Sequence, residues 1–245
     1  MKLFGSKNDP LRVLLYHKIS SNSYRDYLTV TKEDLNIQFR FLVQEGYTPL
    51  LLSDLVKHVR SKDPLPEKPV LITFDDGYRD NYTIMYPVLK KYGLKANIFL
   101  VPAYLELGET PQESYLKLSD LNDMDPDLVE YGLHSYDHKS YKQLSLEEIE
   151  QDINKCRQYL LEKKIAYQDC VAYPYGSFPK RNPAKRRQFL DTLSTNRIVL
   201  AFRIGNRLNP VPLADPLIIQ RLDIRGNEPF EIFKRKLLKG KRLIF

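Results

Sequence analysis

Two adjacent carboxylates follow an apolar segment, residues 70–74, in the run Asp75-Asp76-Gly77. Neighbouring carboxylates at the end of a buried strand repel each other and lose hydration, which is costly unless a cation or a catalytic role compensates. An ordinary Asp-Asp-Gly turn between a strand and a helix is the alternative interpretation, because these residues are also common in turns. This motif alone leaves both interpretations open.

Two histidines, His134 and His138, follow another apolar segment, Val129–Leu133. Neutral imidazole is a common zinc ligand, and imidazoles at this spacing share one face if the segment is helical. The run is not the HExxH pattern of metalloproteases, because Ser135 stands where that pattern has its catalytic Glu. A general base would therefore come from elsewhere. Two histidines and one carboxylate can form an open metal site with room for water and substrate.

A third motif, Tyr173-Pro174-Tyr175-Gly176, stands at the end of the apolar run 170–173. Pro174 and Gly176 predict a tight turn, and Tyr175 offers an aromatic face and a backbone N–H. A turn with no function is the alternative interpretation of this motif.

The elements that must position these motifs are short apolar runs alternating with amphipathic segments. Such alternation predicts parallel strands covered by helices, with catalytic groups at the carboxyl ends of the strands. We therefore predict an α/β fold, an irregular (β/α) barrel of about seven strands. The predicted strands are Arg12–Tyr16, 70–74, 96–101, Val129–Leu133, 170–173, 198–203 and 217–224, and the predicted helices begin near Thr31, Ser53, Asn81, Ser145, Ala184 and Pro229.

The bulk composition indicates a single globular domain over residues 1–245. Hydrophobic residues make up 42% and charged residues 28%, and no linker or internal repeat is visible. Cys156 and Cys170 look like small buried apolar residues. No run approaches the ~20 apolar residues of a membrane span. Residues 1–10 are polar, without an apolar secretory run, so we expect a cytoplasmic or membrane-face location. An extracellular location stays open if the sequence is part of a longer chain.

The net charge of +7 comes largely from two basic clusters. Such clusters are most often solvated faces, but they also suit an anionic membrane, an acidic glycan or nucleic acid. No motif that reads nucleic acid accompanies them, so we expect no nucleic-acid partner. The first cluster comprises Lys180, Arg181, Lys185, Arg186 and Arg187, and the second comprises Lys234, Arg235, Lys236, Lys239, Lys241 and Arg242.

Together the three motifs resemble those of the NodB-homology polysaccharide deacetylases, carbohydrate esterase family four. Thr-Phe-Asp-Asp-Gly, His-Ser-x-x-His and Tyr-Pro-Tyr-Gly match in order between residues 70 and 178. The flanks, with Val13-Leu14-Leu15-Tyr16-His17 and Gln220-Arg221-Leu222-Asp223-Ile224, resemble the poly-N-acetylglucosamine deacetylase (IcaB and PgaB) branch.

The resemblance implies a metal-dependent hydrolase that removes acetyl groups from N-acetylated sugars of a glycan. It implies that Asp76, His134 and His138 hold one divalent ion, with zinc expected and cobalt, nickel or iron as alternatives. It also implies that Asp75 is the general base and that the Tyr175 N–H binds the oxyanion. The alternatives are an O-acetyl esterase and a non-catalytic sugar-binding protein on the same fold.

Two departures from the family pattern concern an arginine and a histidine. Ala172 stands where many members carry an arginine that orients the base, and Arg221 or Asp223 could substitute for it. No histidine follows His138, whereas many members have a catalytic one near the C-terminus. We expect His17 to take this role, as the general acid that protonates the leaving amine. Its strand would then have moved to the N-terminus by circular permutation of the barrel. A structural role at the barrel rim is the alternative. The expected substrate-binding residues are Tyr16, Tyr78, Tyr136, Pro174, Arg221 and Asp223.

Overall fold

The computed structural model describes residues 9–240 and has ten strands and eight α-helices in that range. The strands are β1 (Arg12–Tyr16), β2 (Lys18–Ser20), β3 (Thr29–Thr31), β4 (Thr48–Leu50), β5 (Pro69–Asp76), β6 (Ala96–Leu100), β7 (Val129–Leu133), β8 (Cys170–Ala172), β9 (Leu200–Ile204) and β10 (Ile219–Asp223). The helices are α1 (Lys32–Gln44), α2 (Leu52–Ser61), α3 (Tyr86–Tyr92), α4 (Pro102–Leu107), α5 (Leu118–Asp123), α6 (Leu146–Glu162), α7 (Pro183–Thr195) and α8 (Phe230–Lys239).

Seven parallel strands close into a barrel in the order β1-β10-β9-β8-β7-β6-β5, because β1 pairs with both β10 and β5. Leu15 of β1 is in register with Asp223 on one side and with Thr73 on the other. The N-terminal strand therefore lies between the last strand and the strand that ends in the two acids. This closure confirms the predicted seven-stranded barrel and its permuted strand order.

Side chains of the barrel strands alternate between an inner and an outer apolar layer. Val13, Leu71 and Phe202 belong to the cluster within and below the barrel. Leu14 and Ile72, one position along their strands, belong to the cluster between the barrel and the helices. Strands buried on both faces explain why the runs are almost continuously apolar.

Most predicted elements are confirmed within a few residues, and two of the predicted helix starts, Thr31 and Ser145, are capping residues. The Thr31 side chain accepts from the Asp34 N–H at the start of α1, and Ser145 does the same from Glu148 at α6. The predicted helix at Asn81 begins with a π-helical turn, Asn81–Met85, before α3. The sequence analysis missed β2, β3, β4, α4 and α5, since these elements are short.

Several smaller predictions have clear outcomes. Cys156 and Cys170 are buried free thiols, as expected. His58, on α2, is buried with Nδ1 on the Asp63 carbonyl oxygen. No helix among residues 9–240 is long and apolar enough to cross a membrane. Residues 1–8 and 241–245, which include Lys241 and Arg242, lie outside the described residues.

Candidate metal centre and catalytic site

Three side chains with metal-ligating atoms converge at the carboxyl end of the barrel. Asp76 ends β5, whereas His134 and His138 lie in the loop after β7. Asp76 Oδ1 lies 3.5 Å from His134 Nε2 and 3.3 Å from His138 Nε2. One ligand atom of each residue lies within 4.8 Å of the others. The three residues therefore have the composition and spacing of a site for a divalent ion.

Hydrogen bonds on the far sides of the imidazoles orient their other nitrogens toward Asp76. His134 Nδ1 lies 2.7 Å from the Ala172 carbonyl oxygen, which can only accept, so Nδ1 carries the proton and Nε2 has a free lone pair. His138 Nδ1 lies 3.1 Å from the Tyr175 hydroxyl. Asp76 Oδ1 is buried without a hydrogen-bond partner among the described residues. Converging lone pairs of this kind are stable when a cation lies between them, so these residues fit a metal.

The electrostatics of the triad also favour metal binding over proton binding by the imidazoles. Burial lowers the pKa of His134 to about 3 and lowers the pKa of His138, so both rings are neutral near pH 7. Burial raises the pKa of Asp76 to about 6, against opposing effects of His17 and of the hydrogen bond from Tyr78. Two neutral imidazoles and a carboxylate with a raised pKa form a ligand set that a dication would stabilise.

The histidines are held by a loop that follows β7, so their spacing does not arise from a helical segment. Ser135 and His138 have left-handed φ values of 64° and 58°. Asp152 of α6 fixes this loop: its carboxylate accepts from the Ser135 hydroxyl at 2.8 Å, the Tyr136 N–H at 2.9 Å and the Tyr141 hydroxyl at 2.9 Å. Sequence reasoning missed Asp152, although a carboxylate on the apolar stripe of α6 was the available signal.

Asp75 points into the barrel interior and is held there by Arg221. Arg221 Nη1 and Nη2 donate to Asp75 Oδ1 and Oδ2 at 2.6 and 2.7 Å, and Arg221 is 0% exposed. Arg221 comes from β10 and reaches past β1 to β5. It therefore supplies the orienting arginine that is absent at Ala172. The expectation that Arg221 contacts substrate was wrong, because its guanidinium is enclosed within the barrel.

The same pairing decides the charge of Asp75. Burial by itself raises the pKa of this carboxyl, but Arg221, and to a lesser degree a protonated His134, outweigh burial and hold the pKa well below its usual range. Asp75 Oδ2 lies 3.5 Å from His134 Nε2, so the carboxylate borders the triad. Asp75 is thus an ionised, oriented acceptor beside the candidate metal site.

We expect Arg221→Met to lower the free energy of unfolding by ~3–5 kcal/mol, because the change leaves the Asp75 carboxylate buried without its partner. The folded-state pKa of Asp75 is depressed, so the pair stabilises the fold above the unfolded pKa of ~3.9 and loses this effect as the pH falls below it. The deficit should therefore be full at pH 7 and shrink below pH ~4, as measured by urea unfolding.

Two variants control this stability measurement. Asp75→Asn combined with Arg221→Met should recover much of the loss, since no buried charge is then left unpaired. Arg187→Met breaks the exposed Arg187–Asp191 pair and should have little effect. Equal losses in the single and double variants would contradict this interpretation of the pair.

His17 follows β1 directly, alongside the end of β5. Tyr16 is in register with Phe74, so the next residues in the two chains, His17 and Asp75, are neighbours across the strands. A protonated His17 would lower the pKa of both Asp75 and Asp76, which reflects its proximity to them. The Asn81 side chain donates to the His17 carbonyl at 3.0 Å. His17 Nδ1 is buried without a hydrogen-bond partner among the described residues.

Aromatic rings form a row along one side of the triad. Tyr175 has a left-handed φ of 58°, is 68% exposed and packs against His138 with ring centroids 4.6 Å apart. Tyr104 lies 5.9 Å from His138 and stacks at 4.6 Å on Tyr115, which stacks at 5.4 Å on Tyr78. Sequence reasoning missed Tyr104 and Tyr115. Left-handed backbone at a non-glycine residue such as Tyr175 is costly and is concentrated at functional sites.

The remaining substrate-binding predictions have mixed outcomes. Tyr16 is 0% exposed and donates its hydroxyl to Gln38 of α1, so its prediction was wrong: strand alternation directs it to the outer layer. The Tyr78 side chain donates a hydrogen bond to the Asp76 carboxylate, and Asp223 Oδ2 lies 2.7 Å from Arg225 Nε. Tyr136 bonds Glu106, and Pro174 is buried in the turn before Tyr175. Substrate contact by these four residues stays a prediction.

Comparison with known proteins identifies relatives of the chain. The family model described as polysaccharide deacetylase matches residues 62–192. A putative polysaccharide deacetylase of Bacillus subtilis is 30% identical over 168 residues, which cover 69% of this chain and 57% of the relative. A poly-beta-1,6-N-acetyl-D-glucosamine N-deacetylase of Staphylococcus epidermidis is 27% identical over 179 residues, covering 69% and 61%. The chain thus spans about three fifths of these two curated relatives.

Solved structures have the same fold. The structure of IcaB from Ammonifex degensii superposes with a TM-score of 0.77 at 23% identity, covering 94% of this chain and 98% of that one. The likeness in backbone therefore extends over the whole barrel, including the strands outside the family-model match.

Proposed function

Because this chain belongs to the polysaccharide deacetylase family, as the match over more than half its length establishes, we propose that it is a metal-dependent deacetylase of a glycan. The observation that carries the proposal is the joint presence of the Asp76, His134 and His138 triad and an ionised, oriented Asp75 at one end of the barrel. A sugar-binding protein has no need of a base beside a metal triad.

The proposed cofactor is one divalent ion, with zinc first among the candidates, because two imidazoles and a carboxylate are ligands that zinc accepts. When bound, such an ion supplies a Lewis acid that lowers the pKa of a water molecule and polarises an acetyl carbonyl. The triad would hold the ion, and the Ala172 carbonyl and the Tyr175 hydroxyl would keep the two imidazoles in orientation.

Asp75, Tyr175 and His17 would each take one role in hydrolysis of the acetyl group. Asp75, kept ionised by Arg221, would accept the proton of the attacking water. The Tyr175 N–H would donate a hydrogen bond to the oxyanion. Tyr175 has left-handed backbone, so its N–H does not point in the direction that an extended strand would give it. His17 would give a proton to the leaving amine. The reaction consumes water and releases acetate and a free amino sugar, so protons balance between base and acid.

The proposed substrates are oligosaccharides that contain N-acetylglucosamine. Two features support this choice: the name of the Staphylococcus relative describes an N-deacetylase of such a polymer, and the exposed ring of Tyr175, which packs on His138, offers a face for stacking on a sugar ring. Amide cleavage is placed ahead of ester cleavage, because expulsion of an amine requires the acid that His17 would provide.

Acetate release from N-acetylated chito-oligomers, with and without a chelator, tests the proposed function. We expect release from the purified protein, loss after chelation, and recovery on addition of Zn²⁺, Co²⁺ or Ni²⁺. Acetyl xylan serves as the O-acetyl comparison and should be the slower substrate. Release that survives exhaustive chelation would contradict metal dependence, and rapid cleavage of acetyl xylan alone would overturn the substrate order.

A further inference from the structure

Five cations lie in or next to the three connections that follow β7, β8 and β9, and two of them contact the segment that follows the turn with Tyr175. Lys142 belongs to the connection after β7, Lys180 to the connection after β8, and Arg207 to the one after β9; Arg186 lies in the second turn of α7, and Arg203 lies near the end of β9. Lys142, Lys180, Arg186 and Arg203 stand on the side of the barrel where the strands end, which is the side of the metal triad. Arg207 lies further from that side, with its backbone against Gly240 at the end of α8. We call these five cations the basic surface.

The ring of Phe178 connects the basic surface with the turn that carries Tyr175. Lys180 Nζ and Arg203 Cζ lie 5.8 and 5.3 Å from the centre of this one ring. Phe178 follows the turn Pro174–Gly176, and a Cβ on Gly176 would lie only 2.9 Å from the Ile204 backbone nitrogen. The strand end that carries Arg203 is therefore packed directly against the turn that presents Tyr175 to His138.

The positive charge of this surface is not neutralised by the protein. Among residues 9–240, none of the five cations forms an ion pair with a carboxylate. Burial and the neighbouring cations Arg203 and Lys142 lower the pKa of Lys180, and burial together with Arg207 and Arg186 lowers that of Arg203. Elsewhere at the mouth, lysines do have partners, as Lys18 has in Glu113. Unpaired cations held close together repel one another, and an anionic ligand would relieve that repulsion.

The chemistry of the surface selects among anions. Deacetylation creates an ammonium group, so a basic surface beside the metal repels the amino-sugar product and cannot serve to hold a deacetylated polymer. A phosphate group places up to two negative charges and three acceptor oxygens on one atom, which suits several Arg and Lys side chains around one ring better than the single charge of a sugar carboxylate.

We propose that the basic surface binds a phosphate group of the substrate, so that the natural substrate is an N-acetylated glycan that carries phosphate close to the acetylated sugar. This inference rests on the proposed deacetylase function and names the substrate class of the same site.

The test compares an N-acetylated oligosaccharide with the same oligosaccharide carrying one phosphate monoester. We expect kcat/KM of the wild type for acetate release to be about tenfold or more higher for the phosphorylated compound, since one charge-assisted hydrogen bond contributes roughly this factor. Lys180→Gln combined with Arg203→Gln should bring the ratio of the two kcat/KM values toward one. Lys180→Gln alone, at an exposed position, should lower it in part and keeps the test valid if the double variant is unstable.

A matched control removes the same charges at the opposite end of the barrel. Lys163 and Arg197 follow the carboxyl ends of α6 and α7, both exposed, so Lys163→Gln combined with Arg197→Gln changes the net charge equally. This control should keep the wild-type ratio. A ratio near one in the wild type, or an undiminished ratio in the Lys180 and Arg203 variant, would overturn the proposal.

Two further measurements separate other outcomes. If the basic-surface variant loses binding to anionic phospholipid vesicles while its substrate ratio is unchanged, the surface contacts a membrane and the proposal is wrong. If neither oligosaccharide releases acetate, the proposed function fails. Calorimetric binding of the two compounds then tests the basic surface separately. Tighter binding of the phosphorylated oligosaccharide supports phosphate binding by this surface, and equal affinity contradicts it.

Discussion

Asp76→Ala is expected to abolish both metal binding and acetate release, whereas Asp75→Asn should bind metal normally and lose ~10²–10⁴ in kcat. Asp76 lies between the two imidazoles, so its removal takes away a metal ligand. Asp75 lies beside the triad and pairs with Arg221, so its replacement removes the proposed base and leaves the three ligands in place. Metal content by mass spectrometry and acetate release are the measurements. Full metal occupancy in a His134→Ala, His138→Ala double variant would contradict the site itself.

The pH dependence of metal affinity gives a second check on Asp76. Burial raises its pKa to about 6, so below that pH a metal must displace one proton from this carboxyl. The apparent affinity should therefore fall about tenfold for each pH unit below ~6 and level off above it. His134 adds little to this slope near pH 5–6, because burial lowers its pKa to about 3. A slope of two protons in this range would assign the titration to the histidines instead.

His17→Ala is expected to keep the metal and to lower kcat for amide substrates by ~10²–10⁴, because the leaving amine must take up a proton as it departs. The position of His17 supports this: it follows β1 beside Asp75, and a protonated His17 would lower the pKa of both Asp75 and Asp76. Acetate release and metal content of the variant are the measurements.

An activated aryl acetate distinguishes an acid from a merely structural histidine. Its leaving phenolate needs no protonation, so His17→Ala should slow the aryl ester far less than the N-acetylated oligosaccharide. Equal losses on the two substrates would indicate that His17 acts only through the shape of the site, and near-wild-type turnover of the amide would show the assignment to be wrong.

The motifs and the barrel could be predicted from the sequence because both depend on local patterns. Continuous apolar runs identify strands buried on both faces, and a parallel barrel brings the ends of such strands to one mouth. Hence the residues that end β5 and follow β7, Asp76, His134 and His138, were expected together and lie together. The helix starts at Thr31 and Ser145 were likewise visible, since a capping residue and its partner lie within one turn of each other.

The tertiary structure alone decided which side chains meet across the barrel. The sequence left Arg221 and Asp223 as equal candidates to orient the base, and Asp75 and Arg221, which are 146 positions apart, show no local signal of their contact. The sequence also placed Tyr16 at the mouth from its neighbour His17, but alternation on β1 turns it to the outer layer. The side of the sheet that a side chain faces, and the distant residues that it contacts, depend on strand register, and register is set only when the barrel closes. The sequence placed Lys180 in a basic cluster, but only the closed barrel brought Lys142 and Arg203 to it, around the ring of Phe178 that follows the turn with Tyr175.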